Sequence, residues 1–252
     1  TLHSSIEEMR AFRDRPIQLQ LAIDTNFKLV RLFDRLFGPR DYSKGVGPCI
    51  YWNEATKTGA FEWTEVDPFV NKIFSIGAEP LICLSAWIKN TQKPIVPPGM
   101  AVNPDTLLPY PESYAAFTAA WVQHFRDVGL PVKYYEIFNE IQTYIGWNWN
   151  TRNETRTAHF VELFNAAYTK MHQANPQVMI SFDASTLTFI FPRLLSHGVG
   201  IDYFSFHKYD DWKQPPNAYS DQKMFQLAED VYFQVADKDT YTVDYVRNLW
   251  FN

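Results

Sequence analysis

The stretch VKYYEIFNE, residues 132–140, indicates the fold of this chain. It is a largely apolar run that ends in Asn139 and Glu140, and its length and composition are typical of a buried strand. The preceding segment, SYAAFTAAWVQHFRDVG (residues 113–129), places aromatic residues four positions apart. That spacing predicts an amphipathic helix ending at Gly129. A helix therefore leads directly into a buried strand.

The same order of a helix followed by a strand recurs along the chain. Further helices are predicted in residues 63–77, 157–175 and 189–200. The predicted strands are KLVRLF (28–33), PLICLSA (80–86), VKYYEIFNE (132–140), QVMISFDAS (177–185) and DYFSFHKYD (202–210). No hairpin signal joins any two of them. Strands separated by helices of this length run parallel, because a tight turn cannot join parallel neighbours.

This order favours either an open doubly wound sheet or a (β/α)8 TIM barrel. No glycine-rich phosphate-binding fingerprint follows a strand, which argues against the dinucleotide-binding form of the open sheet. Polar and aromatic residues gather at the carboxyl ends of the strands, where barrel enzymes build their sites. We therefore predict an α/β protein with a (β/α)8 barrel, in which five strands of eight are clear.

The chain is predicted to form a single barrel catalytic domain over residues 1–252. A barrel of about 250 residues has eight strands, and long loops are predicted at 35–62 and 86–112. We expect the first strand to precede Thr1. The ending, residues 239–252, is typical of a helix that precedes another strand. The domain is therefore expected to be truncated at both ends.

Charge and composition narrow the range of partners. The net charge is -5 and no basic cluster is present, which argues against nucleic acid. No apolar run is long enough to cross a membrane, so no membrane partner is predicted. The first residues lack a signal segment, which fits a cytosolic or a processed protein, and the sequon Asn153-Glu154-Thr155 favours a secreted or extracellular one. Aromatic residues make up 17% of the chain, which favours stacking on a neutral ring-shaped ligand.

Glu140 is the candidate general acid. A carboxylate at the end of an apolar strand is costly unless it is hydrogen-bonded, and partial burial favours the protonated form that donates a proton. The alternative is a strand-end glutamate in a salt bridge with a neighbouring loop. Asn139 can donate and accept, which suits fixing a substrate hydroxyl. Strand alternation puts Glu136 on the side of Glu140, and Arg31 is the expected cation for Glu136.

Other polar and aromatic side chains are candidates for lining a substrate. His207 and Tyr209 end the last predicted strand. The alternative is a metal-dependent hydrolase in which His207, Asp210 and Asp211 bind the metal. No second histidine stands at ligand spacing, so neither a metal nor a cofactor is predicted. Tryptophan rings in loops and at strand ends suit stacking on sugar faces. The predicted substrate-lining tryptophans are Trp52, Trp87, Trp147 and Trp149.

Several of these stretches resemble the retaining glycoside hydrolases of clan A, most closely the family of β-xylosidases and α-L-iduronidases. YYEIFNE resembles the strand that carries the Asn-Glu pair, and KLVRLFD resembles the arginine-bearing second strand. Residues 59–85 resemble the segment that leads into the third strand. IDYFSFHKYD resembles the sixth strand with its His-x-Tyr ending. The resemblance covers residues 20–210 of the chain.

The resemblance implies a (β/α)8 barrel that cleaves β-linked oligo- or polysaccharides with retention of configuration. Glu140 would be the acid/base, and Asn139 would contact the sugar hydroxyl next to the anomeric centre. Arg31, His207 and Tyr209 would support the nucleophile and the sugar. The partner is thus expected to be a carbohydrate, and the oligomeric state is left open.

Two positions depart from the pattern of the clan. Ile141 stands where a proline usually follows the Asn-Glu pair, which affects only the loop. The nucleophile of the clan is a glutamate at the end of the seventh strand, whereas after His207 this chain has a single glutamate, Glu229, in a predicted helix. A glycosidase therefore requires a nucleophile supplied beyond residue 252. The alternative is a catalytically silent carbohydrate-binding barrel.

Overall fold

The chain is an α/β protein, seen here in a computed structural model that describes residues 2–4, 20, 23–24, 28–32, 48–88, 93–184 and 187–206. Its strands are β1 (Leu2–Ser4), β2 (Leu29–Leu32), β3 (Cys49–Asn53), β4 (Thr58–Phe61), β5 (Glu79–Leu84), β6 (Trp87–Ile88), β7 (Lys93–Pro94), β8 (Tyr134–Ile137), β9 (Met179–Ser181), β10 (Asp183–Ala184) and β11 (Ser205–Phe206). Its helices are α1 (Val66–Ser75), α2 (Pro111–Asp127), α3 (Gln142–Ile145), α4 (Glu154–Ala174) and α5 (Leu187–Ser196).

The central sheet confirms the predicted fold class. Strands β1, β2, β5, β8 and β9 hydrogen-bond in that order, and each pair is parallel. Strands β10 and β11, which come after β9 along the chain, form a separate parallel pair. A doubly wound sheet reverses its strand order at a switch point. Here the order rises steadily with helices between the strands, as in a TIM barrel.

Two details of the sequence prediction are wrong, and one strand is not predicted from the sequence. The unpredicted strand is β1 at Leu2–Ser4, which pairs with β2. The predicted loop 35–62 contains an antiparallel hairpin of β3 and β4, and the loop 86–112 contains the antiparallel pair β6 and β7. In the first hairpin the turn depends on Asn53, whose side chain accepts from the backbone N–H of Ala55 at 3.0 Å.

The long helices begin and end at residues that favour those positions. Helix α2 starts with Pro111, whose missing N–H is not needed in a first turn, and Gly129 after it takes a positive φ of 74°. Helix α4 is capped by Asn153, which accepts from the N–H of Arg156 at 3.0 Å. The two helices pack against each other beside the sheet. Among the described helices, none is long and apolar enough to span a membrane.

The two faces of the sheet differ in polarity. Along the strands, residues such as Val30, Ile82 and Ile137 belong to the buried apolar cluster, each contributing about 1.5–3 kcal/mol by leaving water. The alternate positions carry polar or sulfur groups that are buried as well, including Arg31 and Glu136. Because successive side chains point to opposite faces, these groups gather on the face away from the apolar cluster. That polar face supports the candidate site.

Candidate active site

The candidate site lies at the carboxyl end of β8, where the backbone turns sharply. The strand ends at Ile137, and both Phe138 (φ 73°) and Glu140 (φ 49°) adopt left-handed conformations. The alternation of a regular strand therefore does not extend to Glu140, and the parity argument that placed it on the side of Glu136 does not apply. Asn139 and Glu140 are both half-buried in this turn.

Arg31 is the cation at the centre of the site. Its Nε donates to Glu136 Oε2 at 2.6 Å, which confirms the predicted pairing of these two residues. Its Nη2 donates to Asn139 Oδ1 at 3.1 Å. Since a guanidinium can only donate, the contacting atom of Asn139 must be its amide oxygen. Strand β2 thus orients the amide that precedes Glu140.

Asp183, at the start of β10, is a site residue that the sequence analysis did not single out. Its Oδ2 accepts from the backbone N–H of Glu140 at 3.0 Å and lies 3.4 Å from Arg31 Nη2. Its backbone oxygen accepts from the N–H of Ile141 at 3.0 Å. The position of this aspartate in FDAS, at the carboxyl end of a predicted strand, is the signal that could have identified it.

The electrostatics of the cluster are set by burial and by charge balance. Burial alone would lower the pKa of the Arg31 guanidinium, but the carboxylates of Glu136 and Asp183 beside it outweigh that effect and raise it. Burial raises the pKa of the Cys83 thiol well above its usual range, so the thiol stays neutral. The hydroxyl of Ser205 on β11 donates to Glu136 Oε1. Five strands therefore contribute to one buried polar network.

The predicted tryptophans have different surroundings. Trp52 is 1% exposed, its indole N–H donates to Glu54, and its ring packs edge-on against Phe117. The ring is therefore part of the core and has no exposed face on which a sugar could stack. Trp147 and Trp149 are exposed by 41% and 62% in the loop after α3. These two rings offer open surface in the segment of the chain that follows β8.

The side chains of the remaining predicted site residues lie outside the described part of the structure. The backbone of Trp87 belongs to β6, and its ring is outside the described side chains. His207 and Tyr209 lie outside the described residues, as do Asp210 and Asp211 of the alternative metal site. Within the described ranges, no group of three or more His, Cys, Asp or Glu side chains could hold a metal ion.

Comparison of the sequence with known proteins finds no relative. No family model matches the chain, and no curated protein matches it. The fold, in contrast, has many structural neighbours.

Three of these neighbours illustrate the likeness. A monomeric β-xylosidase from Caulobacter crescentus CB15 superposes with a TM-score of 0.56 at 18% identity, covering 82% of this chain and 41% of that one. The GH53 catalytic domain of Ignisphaera aggregans gives 0.56 at 18% identity, with 87% and 58% covered. A psychrophilic GH10 endo-β-1,4-xylanase gives 0.55 at 16%, with 94% and 68% covered. The chain thus spans less than half of the β-xylosidase, and it has the fold of the TIM-barrel glycoside hydrolases.

Proposed function

We propose that this chain carries the acid/base half of a retaining glycoside hydrolase that cleaves β-linked oligo- or polysaccharides. The observation that supports this proposal is that buried charged side chains bind the Asn139–Glu140 turn. Arg31 orients the amide of Asn139, and Asp183 binds the backbone of Glu140. Such rigid support at the carboxyl end of a barrel strand suits a general acid.

In this proposal Glu140 donates a proton to the glycosidic oxygen as the bond to the leaving group breaks. It then acts as a base that activates water, so that the glycosyl intermediate is hydrolysed with net retention. Asn139 Oδ1 accepts from Arg31. The amide NH2 of Asn139 is consequently the group that faces a sugar hydroxyl beside the reacting carbon.

The mechanism also needs a carboxylate nucleophile about 5–5.5 Å from the acid/base. Glu136 and Asp183 do not suit that role, because they are 1% and 0% exposed and both pair with Arg31. The resemblance to clan A assigns the nucleophile to a glutamate at the end of a seventh strand. His207 and Tyr209 would then support that glutamate and the bound sugar.

The exposed tryptophans of the loop after α3 are proposed to stack on sugar rings. The backbone N–H of Trp147 donates to Thr151 Oγ1 at 3.0 Å, and the Arg152 guanidinium lies 5.4 Å from the ring centre of Trp149. Phe189 meets the Trp149 ring edge-on at 5.1 Å. The ring of Trp149 and the backbone of Trp147 are thereby held in place, and both side chains keep open surface, which is what a sugar-stacking platform requires.

The test compares substrates whose leaving groups differ in their need for a proton. Structural neighbours include a β-xylosidase and a xylanase, so aryl β-xylosides are the first substrates to use. Glu140→Gln should lower kcat/KM about 10²–10⁴-fold for a phenyl leaving group. The loss should be far smaller for a dinitrophenyl group, which departs without protonation.

A matched control and a rescue complete the experiment. Glu79→Gln changes an exposed glutamate at the opposite end of a strand and should leave both rates unchanged. Azide needs no general base, so it should restore turnover of the Glu140→Gln variant and yield a β-glycosyl azide. Equal losses on both substrates would contradict the assignment of Glu140. Sugar binding without release by a full-length protein that includes the seventh-strand glutamate would instead favour a silent carbohydrate-binding barrel.

A further inference from the structure

Asp183 makes two hydrogen bonds to the backbone of the turn that carries the proposed acid. Its carboxylate Oδ2 accepts from the N–H of Glu140, and its backbone oxygen accepts from the N–H of Ile141, both at 3.0 Å. Two successive amides are thus bound by one residue of a different strand. This residue is fully buried, so water does not compete for the contacts.

The turn needs such an anchor because of its backbone conformation. Glu140 has a φ of 49°, in the left-handed region that disfavours residues other than glycine. Phe138, two residues earlier, has a φ of 73°. Strained conformations persist only where the surroundings over-determine them. A carboxylate is a stronger acceptor for an N–H than a neutral oxygen is, so Asp183 is well suited to stabilise the left-handed conformation of Glu140.

The same carboxylate oxygen links both members of the Asn-Glu pair. Asp183 Oδ2 lies 3.4 Å from Arg31 Nη2, and that nitrogen donates to Asn139 Oδ1 at 3.1 Å. Asp183 therefore acts on Glu140 directly and on Asn139 through Arg31. Glu136, the other carboxylate beside Arg31, is bonded to Nε and contributes to neither contact.

From these contacts we infer that Asp183 is the positioning residue that sets the backbone of the Asn139–Glu140 turn, and with it the position of the acid/base carboxyl. The inference rests on the proposed function of Glu140. It assigns a role in proton transfer to a side chain that does not itself reach the substrate.

The experiment measures kcat/KM of Asp183→Ala and Asp183→Asn on the phenyl and dinitrophenyl glycosides. A misplacement of a catalytic group by about 1 Å can cost about 10²-fold. We therefore expect Asp183→Ala to lose about that factor on the phenyl substrate and far less on the dinitrophenyl one. Asp183→Asn keeps an oxygen that can accept from Glu140, so it should recover a large part of the loss.

Asp202→Ala is the matched control. Asp202 Oδ2 also accepts a backbone N–H of the sheet, from Ile180 at 2.7 Å, but Asp202 lies before β11, and its described hydrogen bonds, to Ile180, Tyr168 and His172, involve no residue of the turn. This variant should lower the melting temperature and leave the ratio of the two substrates unchanged. A purely structural role of Asp183 would produce that same pattern, and would overturn the inference.

Glu140→Gln, measured in parallel, separates the two failures. If it shows the selective loss on the phenyl substrate and neither Asp183 variant does, the positioning role is refuted and the proposed function stands. If Glu140→Gln shows no selectivity, the proposed function fails and the role of Asp183 fails with it. Should Asp183→Ala not fold, Asp183→Leu, which has a similar volume and no acceptor for the Glu140 N–H, takes its place: an unchanged substrate ratio for that variant would refute the inference.

Discussion

Replacing Arg31 by methionine would leave two buried carboxylates without their cation. Glu136 and Asp183 are 1% and 0% exposed, and Arg31 contacts them at 2.6 Å and 3.4 Å. Removing one partner of a buried ion pair costs about 3–5 kcal/mol, because the remaining charge cannot be hydrated. Two carboxylates depend on this arginine, so we expect Arg31→Met to reach the upper part of that range.

Arg193→Met is the matched control, because Arg193 is also 3% exposed. Its ion-pair partner differs: the side chain of Glu154 is 62% exposed and is hydrated when the arginine is lost. Arg193→Met loses that exposed pair and a hydrogen bond to Thr157, but it leaves no buried charge behind. The same substitution at equal burial should therefore be much less costly.

A double variant tests the cause of the cost at Arg31. Adding Glu136→Gln to Arg31→Met removes one uncompensated charge and keeps an oxygen that accepts from Ser205. Removing that buried charge should make the double variant more stable than Arg31→Met. The coupling between the two substitutions, taken against both single variants, should be about 0.5–3 kcal/mol.

The assay is urea unfolding at neutral pH, followed by circular dichroism and by tryptophan fluorescence. Coincident transitions license a two-state fit and a free energy of unfolding for each variant. The reasoning is refuted if Arg31→Met costs no more than Arg193→Met. It is equally refuted if Glu136→Gln lowers the stability of Arg31→Met further, because the loss of a buried charge should have the opposite sign.

Two further predictions concern the turn after α3 and a buried histidine. Gly146→Ala should lower the melting temperature by several degrees, because φ at Gly146 is 108° and a Cβ would lie 2.3 Å from the backbone oxygen of Thr151. The control, Gly200→Ala, has open space around the added Cβ and should change the free energy of unfolding by less than about 0.5 kcal/mol. Burial lowers the pKa of His159. As the pH drops below about 6.5, the unfolded chain therefore takes up a proton at this histidine that the folded chain does not. The free energy of unfolding should fall in that pH range. His159→Asn, which keeps a polar atom near Thr106, should flatten that fall in unfolding curves at pH 7 and pH 5; an unchanged slope would contradict it.

The repeated helix and strand pattern allowed the parallel sheet to be predicted from sequence. Apolar runs such as VKYYEIFNE have a period and a length that depend on local residues alone. The pairing of Arg31 with Glu136 was also predictable, since a charge inside an apolar strand requires a partner of opposite sign and few were present. These features follow from general rules of burial, and one sequence contains enough information for them.

The remaining features depend on the tertiary structure. The hairpin of β3 and β4 has no Asn-Gly or Asp-Gly turn; instead Lys57 takes a positive φ of 55°, which no sequence pattern indicates. The burial of Trp52 depends on α2, whose Phe117 packs against its ring. The turn that follows the strand and carries Glu140 is hydrogen-bonded to Asp183, which is 43 residues further along the chain. Long-range contacts of this kind override local alternation.

The buried network is better explained by its position than by its contribution to stability. A buried ion pair is often no more stabilising than apolar residues of the same volume, and sometimes less. Apolar residues at the positions of Arg31, Glu136 and Asp183 could fill the same face of the sheet, but they could not bind the amide of Asn139 or the N–H of Glu140. The charges lie where the strand ends and the backbone turns left-handed. Their arrangement therefore follows from the geometry that the Asn139–Glu140 turn must hold.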